Sequence, residues 1–215
     1  MNMKGETKLF LGIIIATIAI AGIGIAILSR PAVAPKVDPS LLIRADSNKI
    51  ATPSATVTLV EFSDFQCSAC GVYHQMVREV INEFKDSMTF VYRNFPLTDL
   101  HPNATLAAQA AEAAGLQGKY WEMHDFLFTK QSEWSASGSA RDIFVRYAES
   151  LGMSVDQFKK DIDSDAVKNR IAADVADGNT LGINATPTFF LNNRKIENPA
   201  NLSDFETLIK DAQVE

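Results

Sequence analysis

Cysteine is nearly absent from this chain: Cys67 and Cys70 are the only two in 215 residues. A structural zinc site takes four ligands, and no second cysteine pair exists to complete one, so the C-x-x-C reads as a redox pair rather than half a metal site. Basic charge is also scarce, with Lys+Arg 20 against Asp+Glu 26 and a net charge of −6. Without residues 1–30, which hold Lys4, Lys8, Arg30 and Glu6, the balance is 17 basic against 25 acidic residues, a charge of −8. A surface of that sign repels a polyphosphate backbone, and no nucleic-acid partner is expected. There is no internal repeat or low-complexity tract, which leaves no basis for a solenoid.

Apolar residues are plentiful but uneven. After a short N-terminal segment, 1–8, residues 9–28 form an unbroken run of uncharged, almost wholly apolar residues. A helix of that length crosses a bilayer, so 9–28 is expected to be a transmembrane anchor. The rival is a cleaved signal peptide, since Ala32-Val33-Ala34 has the small-residue cleavage pattern. Its apolar region is usually only about 7–15 residues, and Pro35 directly after the site opposes cleavage. Lys4 and Lys8 before the run, against Arg30 and Lys36 after it, leave orientation undecided by charge. Pro31, Pro35 and Pro39 mark 29–50 as an extended linker. Residues 51–215 are then one domain of ordinary size.

The domain is organised around Phe65-Gln66-Cys67-Ser68-Ala69-Cys70-Gly71. The preceding run, 57–62, is β-branched and aromatic without helical period, as in a buried strand. From Cys70 onward Tyr73, Val77, Val80, Ile81 and Phe84 recur at helical spacing as one core-facing stripe. Cys67 shares its face with Gly71, His74 and Arg78, a polar set, so Cys67 is the accessible sulfur and Cys70 the sheltered one. A thiolate at a helix N-terminus meets unpaired N–H groups and the positive end of the dipole, which lowers its pKa.

The remaining pattern puts strands at the ends and helices between them. A second strand is expected at 88–93, closed by Pro96 and a polar turn. Helices follow at 103–115, with Asn103 as cap, and at 119–130, 139–151, 154–162 and 165–181. Ser154 three residues before Gln157 has the capping-box arrangement. A hairpin turning at Asn192-Asn193 and a helix at 203–212 complete the chain.

Glu61-Phe62 before Cys67-x-x-Cys70, His101-Pro102-x-Ala104, the stretch 117–125 and Gly182-Ile183-x-Ala185-Thr186-Pro187-Thr188-Phe189 together resemble the DsbA-like thiol-disulfide oxidoreductases. The resemblance spans roughly 55–212. It implies an α/β thioredoxin fold with a helical insertion at about 102–181, here preceded by one transmembrane helix and a Pro-rich linker. It implies that Cys67 and Cys70 are catalytic as a redox-active disulfide, and that Glu61 is a buried acid serving the proton of the sheltered cysteine. It further implies that Thr186 and Pro187 form a substrate-binding cis-proline loop beside the cysteines. Ser68-Ala69 between the cysteines departs from the Pro-His of the family's strong oxidant, which bears on oxidising strength.

No cofactor and no metal are expected: His74 is read as a solvated surface residue, His124 as packed and His101 as part of a turn. The expected activity is a membrane-tethered oxidoreductase passing disulfides to unfolded or reduced extracytoplasmic proteins, in the periplasm or at the cell surface. By resemblance, a quinone-linked membrane partner would reoxidise it. A disulfide isomerase or reductase using the same cysteines, a copper metallochaperone binding through Cys67, Cys70 and His74, and an interaction module with an idle C-x-x-C remain as alternatives.

Overall fold

Strand β2 (Val57–Ser63) alternates its side chains between two separate cores. Val57 and Leu59 enter one, Val60 and Phe62 the other, because successive residues of a strand point to opposite faces. The computed structural model of the chain describes residues 10, 15–17 and 34–214. The expected anchor at 9–28 lies outside the described residues apart from Phe10 and Ile15, Ala16 and Thr17. Among the described residues no helix is long and apolar enough to cross a membrane. Residues from Pro35 onward form one compact unit.

The sheet has five strands in the order β1-β3-β2-β4-β5. These are β1 (Asn48–Ile50), β2, β3 (Met88–Asn94), β4 (Thr188–Leu191) and β5 (Arg194–Lys195). β2 and β3 are parallel, with Glu61 opposite Tyr92, and the other pairs are antiparallel. A parallel pair needs a crossover, here the helix Ser68–Glu83 that begins just after Cys67. Asn192 and Asn193, at φ 45° and 66°, make the β4–β5 turn, where asparagine tolerates the left-handed region.

Among the described residues from Pro35 onward, the helices in chain order are α1 (Pro39–Leu42), α2 (Ser68–Glu83), α3 (Ala104–Gly115), α4 (Tyr120–Thr129), α5 (Gln131–Trp134), α6 (Ala140–Ser150), α7 (Val155–Asp161), α8 (Asp165–Thr180) and α9 (Leu202–Ala212). The helical stretch between β3 and β4 thus falls where the apolar periodicity puts it. The alanine-rich α3 buries almost its whole surface, and the small side chains allow neighbours on every side.

The extended-linker reading of 29–50 needs correction from Lys36 onward. Leu42 is fully buried in the second core, β1 pairs with β3, and the Val37 amide donates to Asn193 O at 2.8 Å. The cause is Arg93, fully buried on β3, whose guanidinium donates to the carbonyls of Leu41 and Leu42 and to Asp174 and Asp177 of α8. A buried guanidinium must fill its donors, and the 39–44 segment supplies two acceptors. Two expected caps also differ. Asn103 makes no capping bond; its amide donates instead to the carbonyls of Trp134, Ser135 and Ser137. Ser154 caps α7 through the Gln157 amide, but the Gln157 side chain turns to Asp161, so the box is half formed.

Candidate active site

The site begins where β2 ends. Asp64 Oδ1 accepts the Gln66 amide at 2.7 Å, an Asx turn that stops the strand, and Asp64 O accepts the Cys67 amide. Cys67 is left as the N-cap of α2, with extended backbone at φ −67° and ψ 123°. Its sulfur therefore occupies the place a capping oxygen would take. Both cysteines are free thiols, Cys67 9% and Cys70 0% exposed.

The two thiols differ sharply in acidity. Cys67 is lowered from 9.0 to about 5, chiefly because the Cys70 thiol donates to its sulfur. Burial opposes this, while the backbone N–H groups of Cys70 and Ala69 and the side chain of Thr186 draw it further down. Cys70 is pushed far up by burial and then by the Cys67 thiolate beside it. Glu61, 2% exposed, is pushed up to about 7 by burial, with the neighbouring Ser63 hydroxyl pulling it down and the Cys67 charge adding to the rise. Its Oε1 has no partner. The same carboxyl also raises Cys70, so the acid and the sheltered thiol share one electrostatic environment.

From the far end of the domain, the 182–187 loop brings Thr186 to the pair. The thiol of Cys67 donates to Thr186 O at 3.5 Å, and the Thr186–Pro187 peptide bond is cis. Thr186 Oγ1 is buried with no hydrogen-bond partner. Pro187 O accepts from Asn198 at 2.9 Å, and the Thr188 hydroxyl donates to Ala185 O, which ties the loop to its own strand.

The helical insertion clamps the other side of the cysteine loop. Gln131 donates to Phe65 O at 2.7 Å and to Cys67 O at 2.9 Å. Gln66 donates to Ser135 O and accepts the Asn103 amide, both at 2.7 Å. Asp64 Oδ2 accepts the Leu97 amide and pairs with His101 Nδ1 at 2.7 Å. These positioning residues were missed in the sequence. Asp64 had a signal, its place two residues before Gln66 in an Asx turn; Gln131 had none.

His74 is not the solvated residue its polar helical face suggested. It is 3% exposed and stacked on Phe128 at 4.9 Å, because α4 covers this side of α2. Among the described residues, the single group of histidine, cysteine or acidic side chains close enough to hold a metal is His74, His124 and Asp125. His74 therefore lies with α4 rather than with the thiols, and the Cys67-Cys70-His74 copper set is not assembled.

A thioredoxin family model matches residues 47–211. The chain is 37% identical over 177 residues to Na(+)/H(+) antiporter NhaA 3 of Salinispora tropica, covering 82% of this chain and 26% of that protein. It is 41% identical over 151 residues to NhaA 1 of Mycolicibacterium gilvum, covering 68% and 23%. The chain thus spans about a quarter of the length of the curated relatives it matches. Among solved structures, a thioredoxin-like oxidoreductase from Silicibacter pomeroyi is similar at TM-score 0.70 and 26% identity, over 83% of this chain and 99% of that one. BdbD from Bacillus subtilis (TM-score 0.72, 22% identity, 86% and 100% covered) and Wolbachia pipientis alpha-DsbA1 (0.72, 21%, 82% and 95%) share the fold. With the family model covering nearly all of the folded unit, and DsbA-like structures sharing its fold, the chain belongs to the thioredoxin family.

Proposed function

We propose that the chain is a thiol-disulfide oxidoreductase that donates disulfides to reduced or unfolded proteins through Cys67 and Cys70. The carrying observation is the opposed acidity of the two thiols, Cys67 held at about 5 and Cys70 far above its ordinary value. A substrate thiolate attacks Cys67 Sγ of the disulfide form. The Cys67–Cys70 bond breaks, and Cys70 leaves with the electron pair and takes up a proton, for which Glu61, whose charge raises the Cys70 thiol, is the proposed donor. A second substrate thiolate then attacks the substrate sulfur of the mixed disulfide and releases Cys67 as a thiolate. The substrate gains one disulfide and the enzyme ends with one thiolate and one thiol. A leaving thiolate of low pKa speeds release and stabilises the reduced enzyme, which makes the disulfide form an oxidant. Thr186, whose carbonyl oxygen lies 3.5 Å from Cys67 Sγ, and the cis-bonded Pro187 after it are proposed as the substrate-binding loop.

The deciding measurement is the Cys67–Cys70 potential against glutathione. A donor of disulfides requires a couple at or above about −180 mV, the range of isomerases and stronger oxidants, whereas about −270 mV, thioredoxin's value, would make it a reductase. The proposal extends to an extracytoplasmic domain tethered by residues 9–28 and reoxidised by a quinone-linked membrane partner. The apolar run of bilayer length supports the tether. A membrane-impermeant thiol reagent should label reduced Cys67 in intact cells; labelling only after lysis would overturn that placement.

A further inference from the structure

Away from the thiols, three metal-ligating side chains from two helices converge on one pocket. His74 comes from α2, His124 and Asp125 from α4, and one donor atom from each lies within 4.8 Å of the others. Asp125 Oδ1 is 3.6 Å from His74 Nε2 and 3.4 Å from His124 Nδ1. The histidine side chains are 3% and 5% exposed, and Nε2 of each is buried with no hydrogen-bond partner. A buried nitrogen that gives up water and gains no partner carries a desolvation cost; His74 Nε2 is such a nitrogen beside Asp125, and His124 presents its Nδ1 to the same carboxylate. Both rings line a cavity of about 200 Å³ together with Val77, Arg78, Trp121 and Asp125. Asp125, 44% exposed, opens it to solvent.

We propose that His74, His124 and Asp125 form a binding site for a divalent transition-metal cation of the zinc class, held by two imidazole nitrogens and one carboxylate oxygen with water completing the shell. The donor set selects the metal class: imidazole suits zinc, cobalt, nickel and copper, whereas calcium and magnesium take oxygen shells. Bonds of about 2.0–2.1 Å put tetrahedral donors roughly 3.3 Å apart. Asp125, half-exposed, is free to rotate, and reaching that spacing requires the two packed rings to turn slightly toward it. Arg78 also lines the pocket and opposes a cation there, so it sets the affinity downward. The bound ion would pin α2, which carries the cysteines, to α4 of the insertion without touching either sulfur. The site stands independently of the redox reading.

The test uses the full chain in its disulfide form, so that thiolates cannot bind metal, titrated with Co²⁺ and then competed with Zn²⁺. One equivalent should bind with a ligand-field spectrum of nitrogen and oxygen donors, and zinc should raise the Tm. His74→Phe, His124→Phe and Asp125→Asn should each weaken binding by at least about tenfold, or about 1.4 kcal/mol, and Arg78→Gln should tighten it. The Asp125 and Arg78 variants alter exposed side chains and remain decisive if a histidine variant fails to fold. No binding by the disulfide form, or binding unchanged in Asp125→Asn and Arg78→Gln, overturns the site.

Discussion

Cys67 Sγ lies 3.5 Å from the carbonyl oxygen of Thr186, a residue 119 positions further along the chain. The contact joins the two ends of the fold, the β2–α2 junction and the loop entering β4, at the sulfur of the cysteine that caps α2. A carbonyl accepts only from the protonated thiol. Once Cys67 ionises, the Thr186 hydroxyl is the donor on hand, having no other hydrogen-bond partner.

Replacing that hydroxyl therefore has a defined sign. Thr186→Val should raise the Cys67 pKa from about 5 toward the ordinary 9.0. Cys70→Ala should raise it further, because the Cys70 thiol is the largest cause of the depression. Thiolate absorbance against pH reads both. An unchanged midpoint in Thr186→Val would take the hydroxyl out of the site.

The potential should vary with pH in two regimes. Above about pH 5 the reduced pair carries one proton, on Cys70, so a two-electron couple should fall about 30 mV per pH unit. Below it both sulfurs are protonated and the slope should double. Measured in Glu61→Gln, so that the carboxyl adds no proton of its own, a slope of about 59 mV throughout would mean Cys67 is not ionised.

Glu61 sets a stability window. Its folded pKa, about 7, is raised above the ordinary 4.5, so the native state holds more protons than the unfolded chain between those values. Its contribution is fully present below pH 4.5 and is lost as pH rises through 7. The loss amounts to about 3 kcal/mol, from a rise of roughly 2.5 at 1.36 kcal/mol for each whole step. Urea unfolding of the disulfide form, where burial still raises Glu61 but the Cys67 charge no longer adds to it, should show Glu61→Gln gaining on the wild type as pH rises from 5 to 8. Glu112, pushed up to about 7 by burial, titrates in both proteins and cancels in the difference.

Gly178 carries a packing prediction. A Cβ there would stand 2.6 Å from the Phe95 ring, itself buried against Phe62. Gly178→Ala, despite better helix propensity, should lose about 1–3 kcal/mol through overpacking of the second core. Equal or higher Tm would show that Phe95 has room to turn.

The β2–C-x-x-C–α2 unit and the run of helices between β3 and β4 were legible in the residues, because each buries a face that repeats at the period of its own backbone. The same periodicity put Cys70 on the apolar stripe of α2, where it is fully buried. It misjudged His74, since a helical wheel shows which side is polar but not that α4 lies over it. Residues 36–50 looked like linker for a related reason: their docking depends on Arg93 finding acceptors at Leu41 and Leu42, a pairing no local pattern records. Gln131 and Asp125 carry no periodic signal at all. Local backbone preference and burial period are written in neighbouring residues, so the strands and longer helices from Val57 onward follow from them. The clamp on the cysteine loop, the approach of Thr186 to Cys67 and the meeting of His74 with His124 join segments far apart in sequence, and only packing of the whole domain brings them together.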